Sequence, residues 1–365
     1  MLTSSSLAGV PVISNLNNIA ACDRWNDELK WMKRCHPGWV LDIAGLHETI
    51  IDYIKERRRH KAVPEYYLEE HGMPRAIDFH VHLPTTEFMQ VTLGPYAKAA
   101  ERFFRTEVKL KDIDQIAADY AELDMIGVLL AWDAETATGL PPLGNDYIAD
   151  IVRRHPQQFI GFASVDPHKG KAAIKEMERA IKDLGLAGAK FHPGVQAFYP
   201  NDPQCYPLME KIQTLGVPAL FHTGTNGLGA GTPGGMGIKL DYTRPIYLDS
   251  LAADFPGLTI IGAHPSWPWQ EEMIAAMQHK TNMFNDLSGW SPKRIPETLL
   301  REAATRLQDR FLFGSDYPFI APQRWLKDFE EIKIEFKPEV REKLLWRNGQ
   351  KLLAHTAVGQ IHFSS

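Results

Sequence analysis

Ile77-Asp78-Phe79-His80-Val81-His82-Leu83 reads as a buried β-strand that carries two imidazoles. Side chains alternate faces along a strand, so His80 and His82 point the same way. Asp78 is expected on their face, and Ile77, Phe79, Val81 and Leu83 on the other. Two neutral imidazoles are costly in an apolar core but suit a divalent cation. Alone, the stretch leaves two readings open: core histidines satisfied by hydrogen bonds, or one half of a metal site.

Beyond this strand a rhythm sets in. Short runs rich in Val, Ile, Leu and Phe recur at 76–83, 126–132, 159–165, 187–192, 217–223, 258–263, 282–287 and 310–315. Amphipathic helical stretches separate them, at 110–123, 145–155, 169–184, 203–215, 245–255, 269–279 and 296–307, and a pair at 322–334 and 338–353 follows the last run. Alternating strand and helix implies a parallel sheet with right-handed crossovers. Eight such units imply the closed α/β fold of a (β/α)8 TIM barrel. An open doubly wound sheet is the alternative, but no Gly-x-Gly-x-x-Gly loop follows the first strand.

No repeat or linker interrupts the chain after residue 75, so 76–355 reads as one catalytic domain and 356–365 as a tail. Residues 1–75 read as a helical extension, with amphipathic helices at 23–34 and 46–60 and Trp25, Leu29, Trp31 and Met32 available for burial. The basic run from Lys55 to Lys61 reads as a solvent-facing helix end, with an anion or subunit contact as the alternative. The extension is expected to pack on the main domain or on another subunit, which makes a homodimer or homotetramer the expected assembly.

The bulk numbers narrow the classes. The chain has 365 residues, 44% apolar and 23% charged, which suits a globular protein with a sizeable core. A net charge of −5 argues against nucleic acid or an anionic membrane as partner. Three cysteines, Cys22, Cys35 and Cys205, are too few and too scattered for a disulfide framework or a thiolate zinc site, which suits a reducing compartment. No apolar run approaches the roughly 20 residues that span a bilayer, and no signal peptide is evident. A cytoplasmic location is expected.

In a barrel of this kind the active site lies at the C-terminal ends of the strands. Strand one ends in His80 and His82, strand four in Ala189-Lys190-Phe191-His192-Pro193, and strand five in Leu220-Phe221-His222-Thr223-Gly224. Strand six ends in Gly262-Ala263-His264-Pro265, strand seven in Asn285-Asp286-Leu287-Ser288-Gly289, and strand eight in Phe313-Gly314-Ser315-Asp316-Tyr317-Pro318. Six of the eight strands therefore bring ionisable groups to one rim. A structural core has no need of that, whereas a histidine and carboxylate metal site explains it.

With these motifs in order, the chain resembles the amidohydrolase superfamily, in the branch of the aminocarboxymuconate-semialdehyde decarboxylase relatives and assorted single-metal hydrolases. The resemblance spans about residues 76–353. It implies that His80, His82, His222 and Asp316 bind one divalent metal, zinc by preference with manganese as the alternative. It implies a catalytic or substrate-orienting role for His264, and a proton-accepting role for Asp316. Asp78 is expected to be structural, orienting a ligand histidine. Lys190 stands near the place of the carboxylated lysine in two-metal members, and His192 reads as a hydrogen-bonded wall or a substrate contact.

The stretch Thr223–Gly237 is glycine-rich without phosphate-loop spacing and reads as a lid or binding wall. Arg244 after it is a candidate for gripping a substrate carboxylate, with a surface salt bridge as the bland reading. Trp132, Trp267, Trp269, Trp290, Tyr317 and Phe319 follow strands and suggest an aromatic-walled pocket, with Trp132, Tyr317, His192, Lys190 and Arg244 as candidate substrate contacts. The expected partner is a small molecule. The lead expectation is a metal-dependent hydrolase, with metal-bound water attacking an ester, lactone, amide or β-dicarbonyl carbon. A non-oxidative decarboxylase acting on an aromatic or muconate-type acid is the alternative, and a ligand-binding barrel without chemistry is the third.

Overall fold

A computed structural model describes residues 75–354. The helices expected at 23–34 and 46–60, the basic run and the tail at 356–365 lie outside the described residues. Eight parallel strands follow one another in chain order: β1 (Ala76–Val81), β2 (Met125–Leu130), β3 (Phe159–Ser164), β4 (Gly188–Phe191), β5 (Ala219–His222), β6 (Ile260–Ala263), β7 (Met283–Asp286) and β8 (Phe311–Leu312). Each lies where the hydrophobic runs place it, and most are shorter, because the chain leaves the ladder as it turns into the rim loops.

The sheet curls into a nearly closed barrel. Its last seam is made by single bonds from β1 to the stretch after β8. The Phe79 N–H donates to the Phe313 carbonyl (2.9 Å), the Asp316 N–H to the His80 carbonyl (3.0 Å) and the His82 N–H to the Tyr317 carbonyl (2.7 Å).

On β2 the alternation is clean. Ile126, Val128 and Leu130 join an inner cluster with Phe79, Phe162, Leu220, Ile261 and Leu312. Met125 and Leu129 join the outer cluster, where the strands meet helix residues such as Ile116 and Tyr120. Trp346, Leu352 and Leu353 of the C-terminal helical segment complete the inner cluster. Each fully buried side chain of this size contributes about 1.5–3 kcal/mol of transfer free energy.

On β1 the alternation fails. Between Asp78 and Val81 the register against β2 shifts, three steps of β1 facing two of β2 from Gly127 to Leu129. This is a bulge. It turns Asp78 away from the face expected for it. Its carboxylate accepts from the Tyr120 hydroxyl (3.0 Å) and from the Ser315 N–H (2.8 Å) and hydroxyl (2.5 Å). Tyr120 sits on the helix Ile113–Glu122, whose Ile113, Ile116, Ala117 and Tyr120 form its buried face and whose N-terminus is capped by Asp112 accepting from the Gln115 N–H.

A π-helical turn, Glu87–Thr92, and a helix, Pro95–Phe104, are inserted between β1 and that helix. Neither was expected from the sequence. Pro95 at the first turn is an ordinary helix start, and the run after it is amphipathic, with Ala97, Ala99 and Ala100 on its buried face. The insert brings Phe88, Leu93, Phe103 and Phe104 to the strand ends.

Candidate active site

The strand ends gather five buried histidines, one carboxylate and one amine around a single cavity. His80 is held first. Its Nδ1 meets Asp286 Oδ2 at 3.1 Å, and Asp286 is itself fixed through Oδ1 by the N–H groups of Ser288 (2.9 Å) and His264 (3.3 Å). An ionised Asp286 can only accept, so the His80 proton sits on Nδ1 and the Nε2 lone pair faces the cavity. There it meets Lys190 Nζ at 3.0 Å and lies 3.6 Å from Asp316 Oδ1.

His82 Nε2 lies 3.8 Å from the same carboxylate oxygen. Its ring stacks on Phe88 (5.1 Å between centroids, 7° between planes) and meets the edge of Trp132, and its Nδ1 is buried without a partner. His192 stacks on His222 at 3.9 Å. His192 Nδ1 accepts from the Val195 N–H (3.3 Å), which puts its proton on Nε2. His222 Nε2 donates to the Thr225 carbonyl (3.2 Å). His264 lies between His80 and His222, 4.7 and 4.6 Å from their ring centres, with Nδ1 on the Ser288 hydroxyl at 2.8 Å.

The backbone that presents these groups is unusual. His264, Ser266 and Asp316 have φ of 68°, 60° and 70°, in the left-handed region that side chains avoid. Such strain persists only where the surroundings over-determine it. Gly289 supplies part of that surrounding. A Cβ there would stand 2.6 Å from His264 Nδ1 and 3.1 Å from Asp316 Oδ2.

Burial governs the charge states. It holds His80, His82, His192 and His222 well below the ordinary histidine range, with Lys190 and the neighbouring rings adding to the effect. It brings His264 down to about 4 against the pull of Asp286. All five are neutral at pH 7 and keep lone pairs for a cation. Burial also pushes the Asp316 carboxyl up and the Lys190 amine down, each opposed by the other.

This donor set fits a divalent ion. His80, His82 and Asp316 bring one ligand atom each to within 4.8 Å of one another, and His80, His264 and Asp286 form a second such group. The Asp286-fixed tautomer of His80 is what a histidine metal site requires, and the buried His82 Nδ1 is a ring nitrogen with no protein partner. The His80 lone pair now taken by Lys190 is the one such an ion would use. The ring nitrogens of His222 belong to neither group.

The cavity above these groups has a volume of about 50 Å³. Phe88, Trp132, Phe104, Trp290 and Phe319 wall it, with Phe104 stacked on Phe319 at 5.0 Å. His80, His82, His222, His264, Asp316, Lys190, His192 and Trp132 all line it. Arg244 and Tyr317 do not. The Arg244 guanidinium is ion-paired to Glu272 and lies over Trp269, so the salt-bridge reading holds for it. Tyr317 packs against Tyr120 on the helix side of β1. The residues not foreseen at the cavity are Phe88, Leu93, Ala100, Phe103 and Phe104, all from the insert; Asn226 belongs to the stretch read as a lid or binding wall, and Asp286 and Ser288, quoted at the end of strand seven, were given no role.

A parallel barrel with histidines and carboxylates gathered at the strand C-termini is the architecture of barrel enzymes. The family model described as Amidohydrolase matches residues 77–354, and the chain belongs to that family. It is similar to 2-amino-3-carboxymuconate-6-semialdehyde decarboxylase of Dictyostelium discoideum, 28% identical over 118 residues, which is 32% of this chain and 33% of that protein. It is similar to γ-resorcylate decarboxylase of Polaromonas sp. strain JS666, 24% identical over 287 residues, 67% of this chain and 85% of that one. An uncharacterised TIM-barrel protein of Bordetella bronchiseptica superposes with a TM-score of 0.65 at 25% identity, over 78% of this chain and 99% of that one.

Proposed function

We propose that this protein is a metal-dependent, non-oxidative carboxy-lyase acting on a small, planar, unsaturated carboxylic acid. This reverses the order expected from the sequence, which put hydrolysis first. One observation carries it: the donor groups sit at the floor of a narrow aromatic-walled cavity of about 50 Å³. Hydrolysis needs a nucleophilic water beside the substrate. A planar unsaturated acid seated between Phe88, Trp132, Phe104 and Phe319 would displace water from beside the donors. Decarboxylation needs none. The decarboxylases among the relatives support the same order.

His80, His82 and Asp316 would hold the ion, zinc or manganese, with His222 as the fourth donor. Such an ion would supply Lewis acidity to the substrate's carboxylate. The chain supplies the rest. Phe88, Trp132, Phe104 and Phe319 hold the ring and exclude water, which strengthens every electrostatic contact inside. The bond from carbon to the carboxylate breaks, its electron pair stays on the carbon and CO2 departs. A proton must replace it, and the Asp316 carboxyl, the Lys190 amine and His264 are cavity groups able to hold that proton.

The test is a screen of metal-loaded protein against hydroxybenzoates, muconate-type acids, lactones and β-diketones, scored for CO2 release. CO2 formed in proportion to acid consumed is the expected result. Lactone or diketone hydrolysis without CO2 would overturn the proposal.

A further inference from the structure

A polar side chain of the loop after β5 has no task in this scheme. Asn226, in the loop after β5, is 5% exposed and lines the cavity. Its Oδ1 accepts from the Leu228 N–H at 2.9 Å, which fixes the orientation of the amide. Its Nδ2 is buried and has no hydrogen-bond partner. Buried donors without partners are rare because they lose the hydration they had in the unfolded chain. The loop is held in place from outside: a Cβ on Gly227 would meet Phe104 Cε2 at 2.9 Å and Phe103 Cδ1 at 3.1 Å, so both rings seat directly on the backbone beside Asn226.

The Asn226 side chain is also hydrogen-bonded to His192. As Nδ1 of His192 is taken by the Val195 N–H, its Nε2 is the protonated nitrogen, and Asn226 Oδ1 accepts from it. That leaves Asn226 Nδ2 as the unpartnered neutral donor on the β4 and β5 side of the cavity. The charge inventory nearby is short. Among the described residues lining the cavity the only fixed cation is Lys190, and its amine is engaged by His80. No arginine among the described residues lines it.

We propose that Asn226 Nδ2, its amide fixed by Leu228 and His192, is a substrate-positioning donor that recognises an uncharged acceptor oxygen on the substrate, apart from the carboxylate that is lost. The site then selects monocarboxylic acids bearing a neighbouring hydroxyl or carbonyl. It discriminates against dicarboxylic acids, whose second carboxylate would face a neutral donor without a countercharge. This rests on the carboxy-lyase reading for the identity of the first carboxylate.

The experiment titrates benzoate, 2-hydroxybenzoate and benzene-1,2-dicarboxylate into the full-length, metal-loaded chain, reading tryptophan fluorescence and, in parallel, CO2. The expected result is that 2-hydroxybenzoate binds at least tenfold more tightly than benzoate, and the dicarboxylate no more tightly than benzoate. Asn226→Ala and Asn226→Asp should both bring 2-hydroxybenzoate down to the benzoate level, with benzoate affinity in Asn226→Ala and metal content in both unchanged. The aspartate variant keeps the acceptor for Leu228 and removes only the donor. A hydroxyl preference that survives both variants, equal or absent binding of the three acids by the wild type, or loss of metal or of the folding transition in both variants would overturn the proposal. If CO2 is released from any acid while the preference is missing, the donor assignment falls alone. If the preference depends on Asn226 and no acid yields CO2, the reaction assignment falls alone.

Discussion

β2 and β1 are neighbours in the same barrel and are built on opposite plans. β2 alternates without fault, its inner residues Ile126, Val128 and Leu130 filling the barrel and its outer residues meeting helices. β1 breaks register after Asp78 and ends in His80 and His82. It borders β8, the shortest strand, whose continuation carries Asp316 at a left-handed φ. The regular side supplies rigidity, and the irregular side aims side chains. Strain and polar burial are concentrated where several partners can hold them, and the apolar strands elsewhere supply the stability that offsets them.

Breaking the irregular side should cost chemistry before stability. The largest effect is expected for His80→Ala and Asp316→Ala, which should lose stoichiometric metal and at least about 1,000-fold of the CO2-forming rate. Elemental analysis with a rate assay checks this, and full metal occupancy in His80→Ala would refute the ligand assignment. Asp286→Asn comes next. It leaves the carbonyl acceptor but weakens the hold on the His80 tautomer, so metal affinity should fall about 10–100-fold in a chelator competition while the protein stays folded.

On the regular side, Leu130→Ala should do the reverse, lowering stability by about 2–5 kcal/mol in denaturant unfolding with metal affinity unchanged. Glycine pairs sharpen the contrast. Gly139 and Gly289 share a φ near 70°, but only Gly289 has neighbours within reach of an added Cβ. Gly139→Ala should cost about 1 kcal/mol from backbone strain alone, whereas Gly289→Ala should also reduce the rate at least about tenfold by displacing His264. Equal rate losses in the two variants would show that Gly289 matters only for its backbone.

The smallest effect is expected from pH. The five cavity histidines have folded values below 6.5, so the unfolded chain binds protons that the folded one refuses. Their contribution is fully present above about pH 6.5 and is lost as pH falls towards the folded values. Asp78, pushed up to about 6 by burial, and Asp316, also raised, act in the opposite direction but are outnumbered. Metal-free protein should therefore melt a few degrees lower at pH 5 than at pH 7, and a higher Tm at pH 5 would contradict the charge states given above.

Much of this was legible in the chain before any coordinates. Each strand is an apolar run bounded by polar turns, and His80, His82, His222, His264 and Asp316 are visible because they end such runs. What was hidden depends on register and packing. The pairing of His80 with Asp286 joins residues 206 apart, and only the barrel's closure brings them together. The bulge that turns Asp78 outward leaves no mark in a sequence of perfect alternation. Arg244 was read as either a substrate grip or a salt-bridge partner, and only the fold shows that Glu272, 28 residues on, lies beside it. The wall made by Phe88 and Phe104 comes from an insert whose amphipathic run, Pro95–Phe104, gives no sign of folding back over the strand ends.

The seam between β1 and the stretch after β8 gives the barrel a clasp. On its outer side Asp78 grips Ser315, and on its inner side His80, His82 and Asp316 face one another across the same join. An ion held between them would tie the first strand to the last, the two ends of the sheet that no continuous ladder connects. Metal binding and barrel closure would then be one equilibrium seen from two directions. Amide exchange should show it, with the N–H groups of Phe79, His82 and Asp316 slowing more on metal loading than those of β2 and β3.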